Sequence, residues 1–266
     1  KEGSYFGATP NDFTATAFYA KSAGILAKAA AVLGKDADAR EYGALRDRII
    51  GAFRAEFFTA SGRIAARTPT ACILALAFGL APPEHRDRVR DTLLDLIKEN
   101  GGHLVTGFLG TPYFCRALAD AGALDAAYAL LMREEYPSWL YQVAKGATTV
   151  WEHWDGLKPD GTMWSPDMNS FNHYAYGSIG EWMHSTVAGI SADEMAKRVI
   201  TSFERGLTTT VNDIEHIESQ SIQGASVVRI YFHPGAKVEM AIAQISALSG
   251  GIMRVMPPGI TPPAIV

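Results

Sequence analysis

From Asp12 to Glu135 the chain alternates between two kinds of helical segment, and this alternation restricts the fold more than any other feature. DFTATAFYAKSAGILAKAAAVL is rich in Ala and Leu at helical spacing, opens on a capping-type Asp12 and stops at Gly34. From Asp36 to Phe58, Tyr42, Leu45, Ile49, Phe53 and Phe57 recur at steps of three and four, so a second, amphipathic helix follows by a short connection and packs antiparallel. The same beat returns in TPTACILALAFGL from Thr68, HRDRVRDTLLDLIKEN from His85, TPYFCRALADA from Thr111 and DAAYALLMREE from Asp125. An all-apolar helix is buried on every side, whereas an amphipathic one meets water on one side. Six helices of alternating kind before Pro137 therefore fit an inner and an outer ring, with a plain helical bundle as the alternative.

The bulk numbers exclude several function classes. With 24 basic and 28 acidic side chains and a net charge of −4, nothing favours nucleic acid or an anionic membrane as partner. No apolar run reaches the ~18 residues that cross a bilayer. Lys1 does not open a signal peptide, and the missing initiator methionine points to a piece of a longer protein, which leaves the compartment open. Cys72 and Cys115 lie in apolar runs without metal-site spacing and read as buried free thiols. A Gly-rich phosphate loop, HExxH and GxSxG are all absent, so phosphoryl transfer, zinc hydrolysis and serine hydrolysis lack support.

The helical pattern stops between Pro137 and Asn169 and resumes from Ser170 to about Ala188. All five tryptophans fall between positions 139 and 182, with Tyr136, Tyr141, Tyr174 and Tyr176 among them. Aromatic faces beside carboxylates and amides suit a sugar, whose C–H face packs on a ring while its hydroxyls need polar partners. A plain aromatic core is the other reading, and the better one for Trp182. Glu152 stands out because Trp151 and Trp154 flank it, and apolar walls make a carboxylate a usable proton carrier near neutrality. His173, at an expected helix start, reads as a partner for substrate or carboxylate, or as a structural histidine; His153 points away from Glu152 if the segment is extended.

At these residues the sequence resembles the family 78 glycoside hydrolases, the bacterial and fungal α-L-rhamnosidases. The stretches that carry the resemblance are GATPNDFTATAFYAKSAGILAKAAAVLGK, GGHLVTGFLGTPYFCRALADAG, YPSWLYQVAKGATTVWEHWDG and DMNSFNHYAYGSIGEWMHSTVAGI. The resemblance implies a partial (α/α)6 catalytic toroid of about seven helices over residues 1–190. It also implies inverting hydrolysis of terminal α-L-rhamnosyl groups from a glycoside or polysaccharide, without metal or organic cofactor. Glu152 matches the family's general base, His173 a histidine that contacts the sugar, and Trp139, Trp151 and Trp154 fall in its aromatic surroundings.

Two departures qualify that expectation. The family's general acid, a Glu in an acidic, Arg-containing segment, has no counterpart here, leaving Asp155 or Asp167 as substitutes. Where the family tends to carry a Gln before the Thr of the apolar helix, this chain has Pro69. A half-ring should expose inner helices such as Thr68 to Leu80, so a homo-oligomer or a missing N-terminal part is expected to cover them. A non-catalytic carbohydrate-binding or self-assembling module is the rival reading. Residues 191–218 read as a linker. SVVRIYF, KVEMAIAQI and GIMRVM, within 219–266, read as strands of a small antiparallel, β-sandwich-like unit ending in an extended tail.

Overall fold

The computed structural model describes residues 8–165, 167, 169–189, 199–222, 225–254, 256, 260 and 263–265. The chain divides into two compact units, Lys1–Ile179 and Gly180–Val266.

The first unit is built from helical hairpins. Helices α1 (Asn11–Val32), α2 (Asp36–Phe57), α3 (Pro69–Ala77), α4 (Arg86–Glu99), α5 (Thr111–Asp120) and α6 (Leu124–Leu131) follow one another. They pair as α1 with α2, α3 with α4 and α5 with α6, while α1 touches α3 and α3 touches α5. The odd helices thus form one layer and the even helices back it, which is the inner and outer arrangement expected from the alternation. Phe13 of α1 meets Phe53 and Phe57 of α2 edge-on, at centroid distances of 4.8 and 5.0 Å. Burying a phenylalanine completely stabilises the hairpin by about 1.5–3 kcal/mol. Ala17, Ala20 and Ala23 are buried on the same helix and let it approach its neighbours closely.

Helix α3 begins where Thr68 accepts a hydrogen bond from the Ala71 N–H (3.2 Å). Pro69 then occupies the first turn, where a missing N–H costs nothing. The substitution of Pro for Gln is therefore compatible with the helix. Contrary to expectation, α3 is not left open: Ala71 to Leu76 are all buried within this chain. Open apolar side chains occur on α1 and its C-cap, at Tyr19, Ile25, Leu26, Val32 and Leu33. Asp12 is not a cap either; its carboxylate accepts from the adjacent Phe13 N–H inside the first turn.

Arginines of the outer helices close the exits of the next inner helices. Arg54 of α2 donates to the carbonyls of Leu80 (2.9 Å), Ala81 (3.1 Å) and Gly79 (3.3 Å) beyond α3. On α4, Arg86 donates to Asp120 O (3.1 Å) and Arg90 to Ala121 O (3.3 Å) at the end of α5. Helix C-termini leave carbonyls unsatisfied and carry partial negative charge, so a guanidinium answers both needs. Cys72 and Cys115 are free and buried as expected, and burial pushes both thiols up to about 12. No helix among the described residues is long and apolar enough to cross a membrane.

After α6 the chain makes a six-residue helix, α7 (Trp139–Ala144), inside the stretch expected to be irregular. The helix expected from Ser170 starts later, as a 3-10 turn (Ala175–Ser178), α8 (Ile179–Trp182) and a π-helical turn (Met183–Val187). His173 therefore precedes the helical run.

The second unit differs most from expectation. Helix α9 (Thr201–Thr210) and the first residues of strand β1 (Ile214–Ile222) occupy the expected linker. Phe203, Leu207 and Val211 are core residues, which a linker would not supply. Strand β2 (Ala225–Phe232) contains SVVRIYF as expected and pairs antiparallel with β1, from Ile214 opposite Phe232 to Ile222 opposite Ala225. KVEMAIAQI, expected as a strand, forms the N-cap (Lys237) and first turns of helix α10 (Val238–Ile252), which also takes Gly251 and Ile252 of GIMRVM. Ala241 and Ile245 of α10 join Phe203 and Leu207 in one core against Ile217, Val228 and Ile230. Among the described residues the small antiparallel sheet is thus the two-stranded hairpin β1–β2, with α9 and α10 packed in its core. Residues 190–198 and most of the PPGITPPAIV tail lie outside the described residues.

Candidate functional site

The site is assembled by α7 and two extended segments. Ser138 caps α7 by accepting from the Tyr141 N–H (3.0 Å), which orients Trp139, Tyr141 and Gln142 inward. The buried Gln142 side chain accepts from the Trp151 N–H (3.3 Å) and donates to the His153 carbonyl (3.2 Å). One amide therefore holds the backbone on both sides of Glu152. Segments 149–152 and 170–173 are then cross-linked: Glu152 N–H donates to Ser170 O (2.9 Å), His173 N–H donates to Val150 O (2.8 Å), and the Thr149 hydroxyl donates to Phe171 O. These bonds bring Glu152 and His173 onto adjoining strands of chain.

Glu152 is partly buried, and its Oε2 accepts from the Ser170 N–H (3.0 Å). His173 accepts at Nδ1 from the Ala175 N–H (3.3 Å), so its neutral form carries the proton on Nε2 and presents a donor there. Its ring lies nearly parallel to Phe108, at 4.7 Å. His153 lies flat on Trp164 (3.8 Å), in a bend closed by the Gly156 N–H donating to His153 O (3.1 Å) and not in the extended segment that the sequence suggested. Burial holds its imidazole below the usual range, against the pull of the Glu152 and Asp155 carboxylates. Burial, joined by the nearby Asp155 carboxylate, raises the Tyr136, Tyr141 and Tyr176 hydroxyls. All three tyrosines stay protonated at neutral pH.

Trp139, Trp151 and Trp154 lie beneath this layer, each no more than 8% exposed. Trp154 stacks on Tyr176 (3.9 Å), Trp139 meets Trp154 edge-on (5.4 Å), and Trp151 meets Phe171 edge-on (5.2 Å). Their rings form an apolar wall. Gly156 permits that packing, because a Cβ there would sit 3.1 Å from Trp151, 3.3 Å from Asn169 Oδ1 and 3.3 Å from Phe171. Gln142 and Ser170 are members of the site that the sequence reading did not assign a place. Only the polar Gln142 among apolar neighbours in SWLYQVAKG signals its part. Among the described residues no group of three or more His, Cys, Asp or Glu side chains is arranged to hold a metal ion.

The family model for the bacterial α-L-rhamnosidase six-hairpin glycosidase domain matches residues 2–187. An α-L-rhamnosidase of Streptomyces avermitilis is 45% identical over 192 residues, covering 72% of this chain and 18% of that protein. An α-L-rhamnosidase of Formosa agariphila is 40% identical over 203 residues, covering 76% and 22%. Among solved structures, the Streptomyces avermitilis α-L-rhamnosidase complexed with L-rhamnose aligns with a TM-score of 0.66 at 47% identity, over 68% of this chain and 18% of that one. The native α-L-rhamnosidase of Aspergillus terreus aligns with a TM-score of 0.67 at 35% identity, over 69% and 21%. The chain spans about a fifth of the length of these relatives. Sequence and fold agree, and the chain belongs to the bacterial α-L-rhamnosidase six-hairpin glycosidase family.

Proposed function

We propose that this chain supplies the base side of an inverting glycoside hydrolase acting on terminal α-L-rhamnosyl groups of a glycoside or polysaccharide. The observation that carries this reading is the fixed carboxylate of Glu152, tied at Oε2 to Ser170 N–H on the segment that also bears His173. With one oxygen held by the backbone, the other is the proton acceptor for an attacking water. A general base contributes typically 10²–10⁴ in rate when its geometry is set in advance. His173 Nε2–H donates to a sugar hydroxyl, and Trp139, Trp151 and Trp154 exclude water behind the carboxylate. Inversion needs a second carboxyl group roughly 6.5–9.5 Å from the first to protonate the leaving oxygen. We assign that acid to a part of the protein outside residues 1–266. On this reading the chain alone turns over rhamnosides slowly or not at all.

Titration of the chain with L-rhamnose, followed by tryptophan fluorescence and chemical shifts, tests the site. Binding that weakens in His173→Ala supports the assignment. No response in either signal at high sugar concentration removes the site from this chain.

A further inference from the structure

Tyr174 is the most exposed of the large apolar and aromatic side chains among the described residues, at 88%, and it directly follows His173. Its ring runs nearly parallel to that of His173, 15° between planes and 5.2 Å between centroids, and His173 in turn runs nearly parallel to Phe108. Phe108 is itself 42% exposed. The backbone that carries the last two rings is anchored: His173 N–H donates to Val150 O (2.8 Å), and Tyr174 O accepts from Gly177 N–H (3.0 Å). A side chain this exposed buries almost nothing on folding, so the fold gains little from an aromatic residue at this position. An open aromatic face running parallel to its neighbour is a stacking surface for a flat or C–H-faced ring.

We propose that Tyr174 is the platform of the leaving-group subsite, stacking the first ring of the aglycone next to a rhamnosyl unit bound at His173. This rests on the rhamnose reading of the site. Rings at His173 and Tyr174 are adjacent, so two linked rings of one glycoside occupy both without strain in the protein. The ligand chemistry is a ring with an open face, supplied by an aryl aglycone or by a second sugar.

The test compares dissociation constants of methyl α-L-rhamnoside, phenyl α-L-rhamnoside and a rhamnosyl-glucoside for the chain and for two variants. The chain is expected to bind at least one ring-bearing ligand roughly two- to tenfold more tightly than the methyl glycoside, the range of an aromatic pair. Tyr174→Ala should bring that ratio close to one, and Tyr174→Phe should keep it. Preference for the phenyl ligand assigns the platform to aryl aglycones, and preference for the rhamnosyl-glucoside to sugars. An unchanged ratio in Tyr174→Ala overturns the platform while leaving the rhamnose site standing. Failure of all three ligands to bind the chain overturns the rhamnose site and the platform with it.

Discussion

Glu152 and Ser170 hold each other through two hydrogen bonds, the Glu152 N–H to Ser170 O at 2.9 Å and the Ser170 N–H to Glu152 Oε2 at 3.0 Å. The carboxylate is therefore set by backbone, which has little freedom to readjust. Gln142 completes the arrangement by clamping the residues on either side of Glu152.

Replacing Gln142 by Leu leaves the Trp151 N–H and the His153 carbonyl without that partner in a buried setting. Each unsatisfied group costs about 1–3 kcal/mol. Urea denaturation should show a loss in that range or above, together with weaker rhamnose binding. A loss under about 0.5 kcal/mol, the size of an ordinary surface change, would remove Gln142 from the account.

The arginine caps predict a contrast between two ion-like contacts. Arg54→Ala removes a guanidinium from three carbonyls beyond α3 and should cost about 1.5–3 kcal/mol. Arg67→Ala breaks a bidentate pair with Glu99, but both side chains are half exposed, and such pairs contribute at most about 1 kcal/mol. Equal losses in the two variants would contradict the capping role of Arg54.

His153 gives the first unit a pH dependence with a defined sign. Its folded value lies below the ordinary 6.5, so the unfolded chain takes up the proton more readily. The stability linked to neutral His153 is complete above 6.5, is lost as pH falls from there, and levels off below the depressed folded value. Comparing the melting temperature of the chain with that of His153→Gln from about pH 7.5 to about pH 5 should show the difference moving in favour of the variant as pH falls. Parallel curves across that window would contradict it.

Open apolar surface on α1 predicts self-association. Tyr19, Leu26 and Leu33, and likewise Ile25 and Val32, recur every seven residues along an exposed face, the spacing of a helix–helix seam. Light scattering of the isolated chain should report a dimer or larger species, and Ile25→Lys with Leu26→Glu should return it to monomer. A monomeric parent chain would show that the face needs no cover.

Helices α1 to α6 were legible from their periods and punctuation, whereas the six-residue α7 was too short to show one. Tyr42, Leu45, Ile49 and Phe53 fit a helix and no strand. VEMAIAQI was misread because it carries two periods at once: Val238, Met240 and Ile242 alternate as in a strand, while Ala241, Ile245 and Ser249 step by four. The helix forms because the second set packs on the hairpin, leaving the first exposed. In the candidate site, Glu152 stood out by its aromatic flanks. Its partner Ser170 was not, since a backbone N–H carries no sequence signal. The tryptophans were visible as a cluster, but only packing reveals that they form its wall.

The account rests on Glu152 as the base, and kinetics of Glu152→Gln in a protein that carries this segment within a complete six-hairpin domain tests it most directly. Glutamine keeps an oxygen to accept from Ser170 N–H, so the fold should survive, as circular dichroism can verify. The account predicts that kcat on an aryl α-L-rhamnoside falls by about 10² or more. A kcat within about threefold of the parent, far less than the loss of a general base, would contradict it.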